Sequence, residues 1–343
     1  MRNVILIPFV FMIFTHSVLS QEVRYGSEVS HDVEVIYQKG LDWLAANQAS
    51  DGDWTGSVNP NEGAAITGMC VMSFLASGED PNFGKFSDNI RRAVRVMINK
   101  QDQQTGYLHG NSMYHHGFGM LALSEVYGVV DDELLWSGAS NSDHRKLIGE
   151  ALTLAVRCAV TSQKNNPWHA WRYSPRTTDA DTSVSGAVLM GLLAARNAGI
   201  EVPDECIDQA IDYFQKLTSS RGEVSYAGSG GGSPNLQAIA LLVYSISQRK
   251  DVPAYQSVLP RVISNMEAPR NSYPEYFRYY MAQALFQGDY ESWQKWNTRT
   301  VKELKDAQQP DGSFQSGHGP TYGTAMSLLA LGLNYRFLPI YER

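Results

Sequence analysis

Asp179-Ala180-Asp181-Thr182 sets two carboxylates two residues apart, just downstream of Trp168, His169, Trp171, Arg172 and Tyr173. A carboxyl group in such a pair can donate a proton, provided that burial and its neighbours keep it protonated and strongly acidic. The same residues also read as a helix start, with Asp179 as the N-cap and Asp181 in the first turn, where the helix macrodipole favours anions. Trp168, His169, Trp171 and Tyr173 suit the mouth of a cavity, or ordinary aromatic packing. A second polar group, His109, His115 and His116, lies in Leu-His-Gly and Tyr-His-His-Gly; His115 and His116 are candidate ligand contacts. Gly228 to Ser233 is glycine-rich but lacks the Lys-Ser/Thr ending and preceding strand of a phosphate loop. No Gly-x-Ser-x-Gly elbow or Cys-His nucleophile pattern is present. No metal set and no cofactor motif is assigned.

Helices must position these groups. From Thr182 the residues Val184, Val188, Leu192 and Ala195 recur at steps of four, four and three, one face of a 3.6-residue period. Ser183, Ser185, Gly186, Ala187, Gly191 and Ala194 cover much of the remainder, so this helix should be buried on more than one side. The pattern of helix, polar glycine turn, aromatic residue and second helix recurs six times. The first helices are read at about 33–47, 93–100, 147–162, 207–217, 259–266 and 301–307. The second begin near Ala64, Gly117, Thr182, Leu236, Tyr276 and Thr324. Turn glutamines fall at Gln48, Gln101, Gln163 and Gln308. Each helix pair carries an apolar face it cannot bury alone, so neighbouring pairs must stack. The second helices are more apolar or small-sided and belong inside. Neither end of the array reads as a polar cap, so the sixth pair should close against the first.

Gln48-Ala-Ser-Asp51-Gly52-Asp53-Trp54 and Gln308-Gln-Pro-Asp311-Gly312-Ser313-Phe314 resemble the QW repeats of squalene–hopene cyclases and the related repeats of protein prenyltransferase β subunits. The resemblance runs from about Val33 to Leu333. It implies an all-α fold, an α6/α6 toroid of six helical hairpins around a central cavity. It further implies that Asp181 is the catalytic acid of an Asp-x-Asp-Asp-like motif, with Asp179 its partner. Thr182 stands in the fourth place, where the cyclases carry another carboxylate. On that ground Asp181 is expected to ionise below its ordinary value, as a capping carboxylate does. The cyclases are about twice as long, and no match exists to the prenyltransferase Asp-x-Cys zinc ligands or the Cys-Gly-Glu-Gln thioester of complement-like toroids.

Composition bounds the rest. At 343 residues, 43% hydrophobic and 18% charged, the chain can bury a sizeable core. Met1-Arg2, an apolar run from Val4 to Phe14 and Ser17-Val18-Leu19-Ser20 read as a secretory signal peptide over residues 1–20, followed by a polar lead at 21–32 and the toroid at 33–343. The expected location is secreted or periplasmic, with no integral span after cleavage. Removal of the leader takes Arg2 and no acid, moving the formal charge from −7 to −8. That balance excludes nucleic acid as a partner. Cys70, Cys158 and Cys206 sit in apolar or helical contexts without CxxC spacing and read as buried small hydrophobes. Three functions stay open: a toroid holding an apolar, isoprenoid-like ligand with or without acid catalysis, a protein-interaction scaffold, and a carbohydrate-active toroid. N-terminal sequencing of exported protein is expected to start at Gln21; a chain still beginning at Met1 rejects the leader.

Overall fold

The computed structural model describes residues 29–54, 63–139, 145–228, 230, 232–267 and 273–341. The leader lies outside these residues. Thirteen α-helices are found among them: α1 (His31–Ala46), α2 (Ala64–Leu75), α3 (Ser87–Asn99), α4 (Met113–Val126), α5 (Asp132–Leu135), α6 (Ile148–Lys164), α7 (Thr182–Asn197), α8 (Asp204–Leu217), α9 (Pro234–Ile246), α10 (Pro253–Asn265), α11 (Pro274–Gly288), α12 (Tyr290–Ala307) and α13 (Pro320–Gly332). A final 3-10 turn spans Pro339–Tyr341. Helices α2, α4, α7, α9, α11 and α13 pack in that order, and α13 packs back on α2. The expected α6/α6 toroid is therefore a closed ring.

Composition separates its two layers. Every residue of α2 is buried, and so is nearly all of α7. Outer helices are amphipathic: α3 buries Ile90, Ala93, Val94 and Met97 and exposes charge on its other face. Small residues let inner helices touch backbone to backbone. A Cβ at Gly191 would stand 2.7 Å from the Gly117 carbonyl oxygen, and one at Gly117 would stand 2.6 Å from the Ala187 carbonyl carbon. Gly186 in turn faces Ile239 of α9, so α7 is buried on two sides as its sequence implies.

The turn glutamines carry the ring connections. Gln48 Nε2 donates to Gly52 O in its own turn and to Asn89 O in the next outer helix. Gln101 does the same with Gly106 O and Ala151 O, and Gln163 with His169 O and Cys206 O. Gln308 bonds Gly312 O at 3.0 Å and Ile36 O at 2.9 Å, joining the last repeat to the first. Turn glycines Gly52, Gly106 and Gly312 adopt positive φ and lie directly on the outer-helix carbonyls of Arg92, Leu154 and Lys39. A side chain there meets both backbone strain and a blocked space.

Several boundaries differ from the sequence reading: α3 begins at Ser87, α4 at Met113 and α13 at Pro320, each earlier than read. Helix α10 begins at Pro253, a favoured first helical position, and runs through Pro260. Helix α12 begins at Tyr290, because Asp289 ends α11 and caps α12 through Ser292 N. The short α5 is an insertion that the repeat pattern does not contain.

Each inner helix follows an outer helix through a turn, so all six run the same way and their N-termini share one end of the ring. At the other end the chain leaves α13, places Phe337 on Gly78, buries Leu338 and Ile340, and touches α7 on the opposite side with its 3-10 turn. Among the described residues the C-terminal segment covers that end, and the candidate residues of the sequence reading lie at the turn end. Ring closure makes a direct prediction. Gln308→Ala should destabilise by about 1–2 kcal/mol, as much as Gln48→Ala, and the loss should appear in one cooperative denaturation transition. Little effect from Gln308→Ala alone contradicts closure.

Candidate active site

Asp181 is the N-cap of α7, and it is fully buried. The sequence reading gave the cap to Asp179; the structure moves it two residues on. Its Oδ1 accepts from Val184 N at 2.8 Å and Ser183 Oγ at 2.7 Å. Its own N–H donates to Trp171 O, and Ser185 Oγ also bonds the Trp171 backbone. These bonds fix the acid to the aromatic turn. Oδ2, by contrast, has no hydrogen-bond partner. The nearest cation is the Arg172 guanidinium, with Nε 3.7 Å away. That Nε is itself buried and unpartnered.

Burial pushes the Asp181 carboxyl above its ordinary value, although Val184 N, Ser183, Tyr226 and Arg172 all pull it down. The expectation of a depressed value is overturned. Capping and burial were treated as alternatives, but this carboxyl does both, with one oxygen each. Asp53 shows the contrast. It is equally buried, yet Lys100, Thr67 and Trp54 N–H outweigh desolvation and hold it below the ordinary value.

Asp179 is exposed, and its Oδ2 is bound by Arg172 Nη1 at 2.6 Å. It holds the Arg172 guanidinium, which stands between it and the buried Asp181 Oδ2 as the cation both carboxylates share. The Arg172 guanidinium also lies over the rings of Tyr173 (5.3 Å) and Tyr226 (5.7 Å), whose hydroxyls are 2.6 Å apart.

The other sequence candidates separate into three groups. Trp171 is buried and gives its indole N–H to Ala159 O, the role Trp54 plays toward Leu44 O. It packs within the turn. His116 is likewise buried with both ring nitrogens used, Nδ1 by Leu108 N and Nε2 on Ala155 O; burial pushes it down to about 4. It too packs within the fold. His169 has φ 50° and occupies the turn place that glycine takes elsewhere. His115 is half-buried, accepts from Gly63 N and is pushed down to about 4 by burial. Trp168 and Tyr173 stand half exposed on the turn surface.

Sequence reading missed a layer of tyrosines. Tyr114 and Phe118 of α4 meet Tyr276 and Tyr279 of α11 across the ring, with centroids 6.1 and 5.8 Å apart. Tyr280 packs on both Tyr276 and Tyr279. Helices α4 and α11 stand opposite one another, so these rings floor the turn end. Tyr114 and Tyr276 are half-buried above the fully buried Phe118, Tyr279 and Tyr280. The hydroxyls of Tyr276, Tyr280 and Tyr213 make no hydrogen bond within 3.5 Å, their nearest polar neighbours being one another, Tyr114 and Thr182, and the Asp181 charge acts on Tyr276 and Tyr213. The spacing Tyr276-x-x-Tyr279-Tyr280 marks one helical face and was legible. Tyr213 and Tyr226 come from the neighbouring repeat and give no local signal. Among the described residues no three His, Cys, Asp or Glu side chains stand together as a metal set, and no helix is long and apolar enough to cross a membrane.

The raised Asp181 carboxyl has a definite stability signature. Its folded pKa exceeds the unfolded value of about 3.9, so its favourable contribution is full below that value and is lost as pH rises through the folded pKa. Asp181→Asn keeps the cap acceptor and cannot ionise. Its stability relative to the parent should therefore increase between pH 3 and pH 7, measured by denaturant melts across pH. A variant that loses ground over that range contradicts the burial effect.

No protein-family model matches the chain, and no curated protein matches it in sequence. Solved structures do resemble its fold. The type II terpene cyclase MstE from Scytonema superposes with a TM-score of 0.57 at 14% identity, covering 90% of this chain and 100% of that one. The GH76A α-1,6-mannanase from Salegentibacter sp. HEL1_6 superposes with a TM-score of 0.62 at 8% identity, covering 88% and 98%. At these identities the likeness establishes the helical toroid that both share with this chain.

Proposed function

We propose that this chain is an exported toroid that takes an apolar, isoprenoid-like ligand onto the tyrosine floor and uses Asp181 as a general acid toward it. The observation that carries the reading is the unpartnered Oδ2 of a fully buried carboxyl. An unsatisfied buried polar atom costs stability, and its retention calls for a functional explanation. Because Oδ1 is committed as an acceptor to Val184 N and Ser183, the proton of the neutral acid belongs on Oδ2. Tyr114, Tyr276 and Tyr280 supply electron-rich faces that attract a cation formed beside them. Tyr173 and Tyr226 cover the acid, and a single hydroxyl pair joins them, so side-chain rotation opens the way to Oδ2.

The fold is compatible with two chemistries among its likenesses. One is a terpene cyclase determined with geranylgeranyl dihydroxybenzoate, the other a mannanase determined with α-1,6-mannotriose. Glycoside hydrolysis ordinarily needs two carboxylates flanking the bond. Here Asp179 is tied to Arg172 and does not stand free as a second carboxylate beside Asp181, which favours the apolar reading. The half-exposed rings of Trp168, Tyr173 and Tyr273 favour glycan contact as the second reading, with the chain acting as a binder.

A direct test uses squalene as a polyprene probe in deuterated buffer. Protonation of an alkene followed by proton loss gives an isomeric product carrying one carbon-bound deuterium, and Asp181→Asn should abolish it. A folded protein that binds α-mannan fragments and leaves polyprenes undeuterated overturns the reading in favour of the glycan one.

A further inference from the structure

Two buried polar atoms without hydrogen bonds stand near each other at the aromatic turn. Asp181 Oδ2 is an acceptor without a donor, Arg172 Nε is a donor without an acceptor, and they stand 3.7 Å apart. The gap is too long for a hydrogen bond. Arg172 is restrained on its other sides by Asp179 at 2.6 Å and by the rings of Tyr173 and Tyr226. A guanidinium left to itself would close on a neighbouring carboxylate, since charge-assisted pairs are the strong ones. The restraint therefore keeps the two apart in this structure.

We propose that Arg172 is a positioning residue whose Nε–H is held in reserve for the Asp181 carboxylate that forms when the acid gives up its proton. This deepens the general-acid reading and rests on it for the proton's destination. In that step the Oδ2–H bond breaks, its proton forms a C–H bond with the alkene's π pair, and the O–H pair stays on Oδ2. The new carboxylate then accepts from Arg172 Nε–H, which transfers no proton. Loss of a proton from the resulting cation balances the cycle and restores the acid through solvent. The device gives an acid that is desolvated before reaction and stabilised as a base after it, without a second carboxylate at Thr182.

The groups acting on or acted on by Asp181 are Arg172 from its own turn, with Asp179 bound to the far side of that guanidinium, Tyr213 of α8, Tyr226 from the turn after α8, and Tyr276 of α11. Carbon-13 carboxyl titration of the full chain, with Asp181→Asn to assign the signal, reads the proposal without any ligand. Arg172→Gln should move the Asp181 midpoint up by about one pH unit. Asp179→Asn should move it down, because the freed guanidinium closes the gap. In the Arg172→Gln background the Asp179→Asn effect should vanish, since it acts through Arg172. An unmoved midpoint in folded Arg172→Gln overturns the proposal, as does an Asp179→Asn effect that persists undiminished in that background. Should Arg172→Gln fail to fold, Asp179→Asn alone decides, and an unmoved or raised midpoint overturns it. Failure of squalene deuteration leaves this titration intact and removes only the general-acid reading. Deuteration with an unmoved midpoint removes only the role of Arg172.

Discussion

The ring depends on one repeated contact, a turn glutamine whose Nε2 donates both to its own turn and to a carbonyl of the next outer helix. Gln48, Gln101, Gln163 and Gln308 each make it. The two acceptors belong to neighbouring repeats, so the bond fixes the angle between hairpins as well as holding them. Gln308 reaches the first repeat across almost the whole chain length, helped by Lys305 on Asp32 at 2.7 Å. Closure leaves no hairpin with an open apolar face, which an unclosed array would have at both ends.

From closure follows the placement of the chemistry. Six parallel inner helices bring their N-termini to one end, and the C-terminal segment occupies the other. At α7 the N-cap is an aspartate, which an exposed helix start accommodates as a stabilised anion. Here the cap is buried beside Arg172 and Tyr226, and desolvation outweighs the amide and hydroxyl bonds to Oδ1. The scaffold thus spends a strong capping bond on one oxygen and leaves the other for the interior. Asp53, with a lysine on its second oxygen, shows that the fold can neutralise a buried acid fully. It does not do so at Asp181.

Much of the fold was legible because its signals are local. Gln–Gly–aromatic turns and small-sided helices such as 182–197 repeat with a period that allows few architectures. What escaped was set by exceptions to the period: Pro253 and Asp289 start helices where repeat spacing gives none, and α5 is an insertion. The site was less legible. Asp181 and Arg172 are near in sequence, and their types suggest a pair. Their separation, and the missing bond between them, depend on Asp179 and on a tyrosine from the next repeat. The places of Trp171 and His169 in the repeat were hidden because the turn between Gln163 and its aromatic residue is longer than in the better copies. The extra residues set His169 in the glycine place and Trp171 in the buried indole place. The tyrosine floor joins α4 to α11 across the ring, a contact that spacing along one helix does not reveal.

The account stands on the claim that an apolar ligand reaches Asp181 Oδ2 from the tyrosine floor. A crystal structure of the protein with a non-reactive polyprene analogue tests it most directly. The account predicts the ligand's terminal double bond over Tyr114 and Tyr276 and within about 3.5 Å of Oδ2, with the Tyr173–Tyr226 hydroxyl pair opened. An analogue bound on the rim with that pair closed, or a ring interior that stays unchanged at saturating analogue, contradicts it.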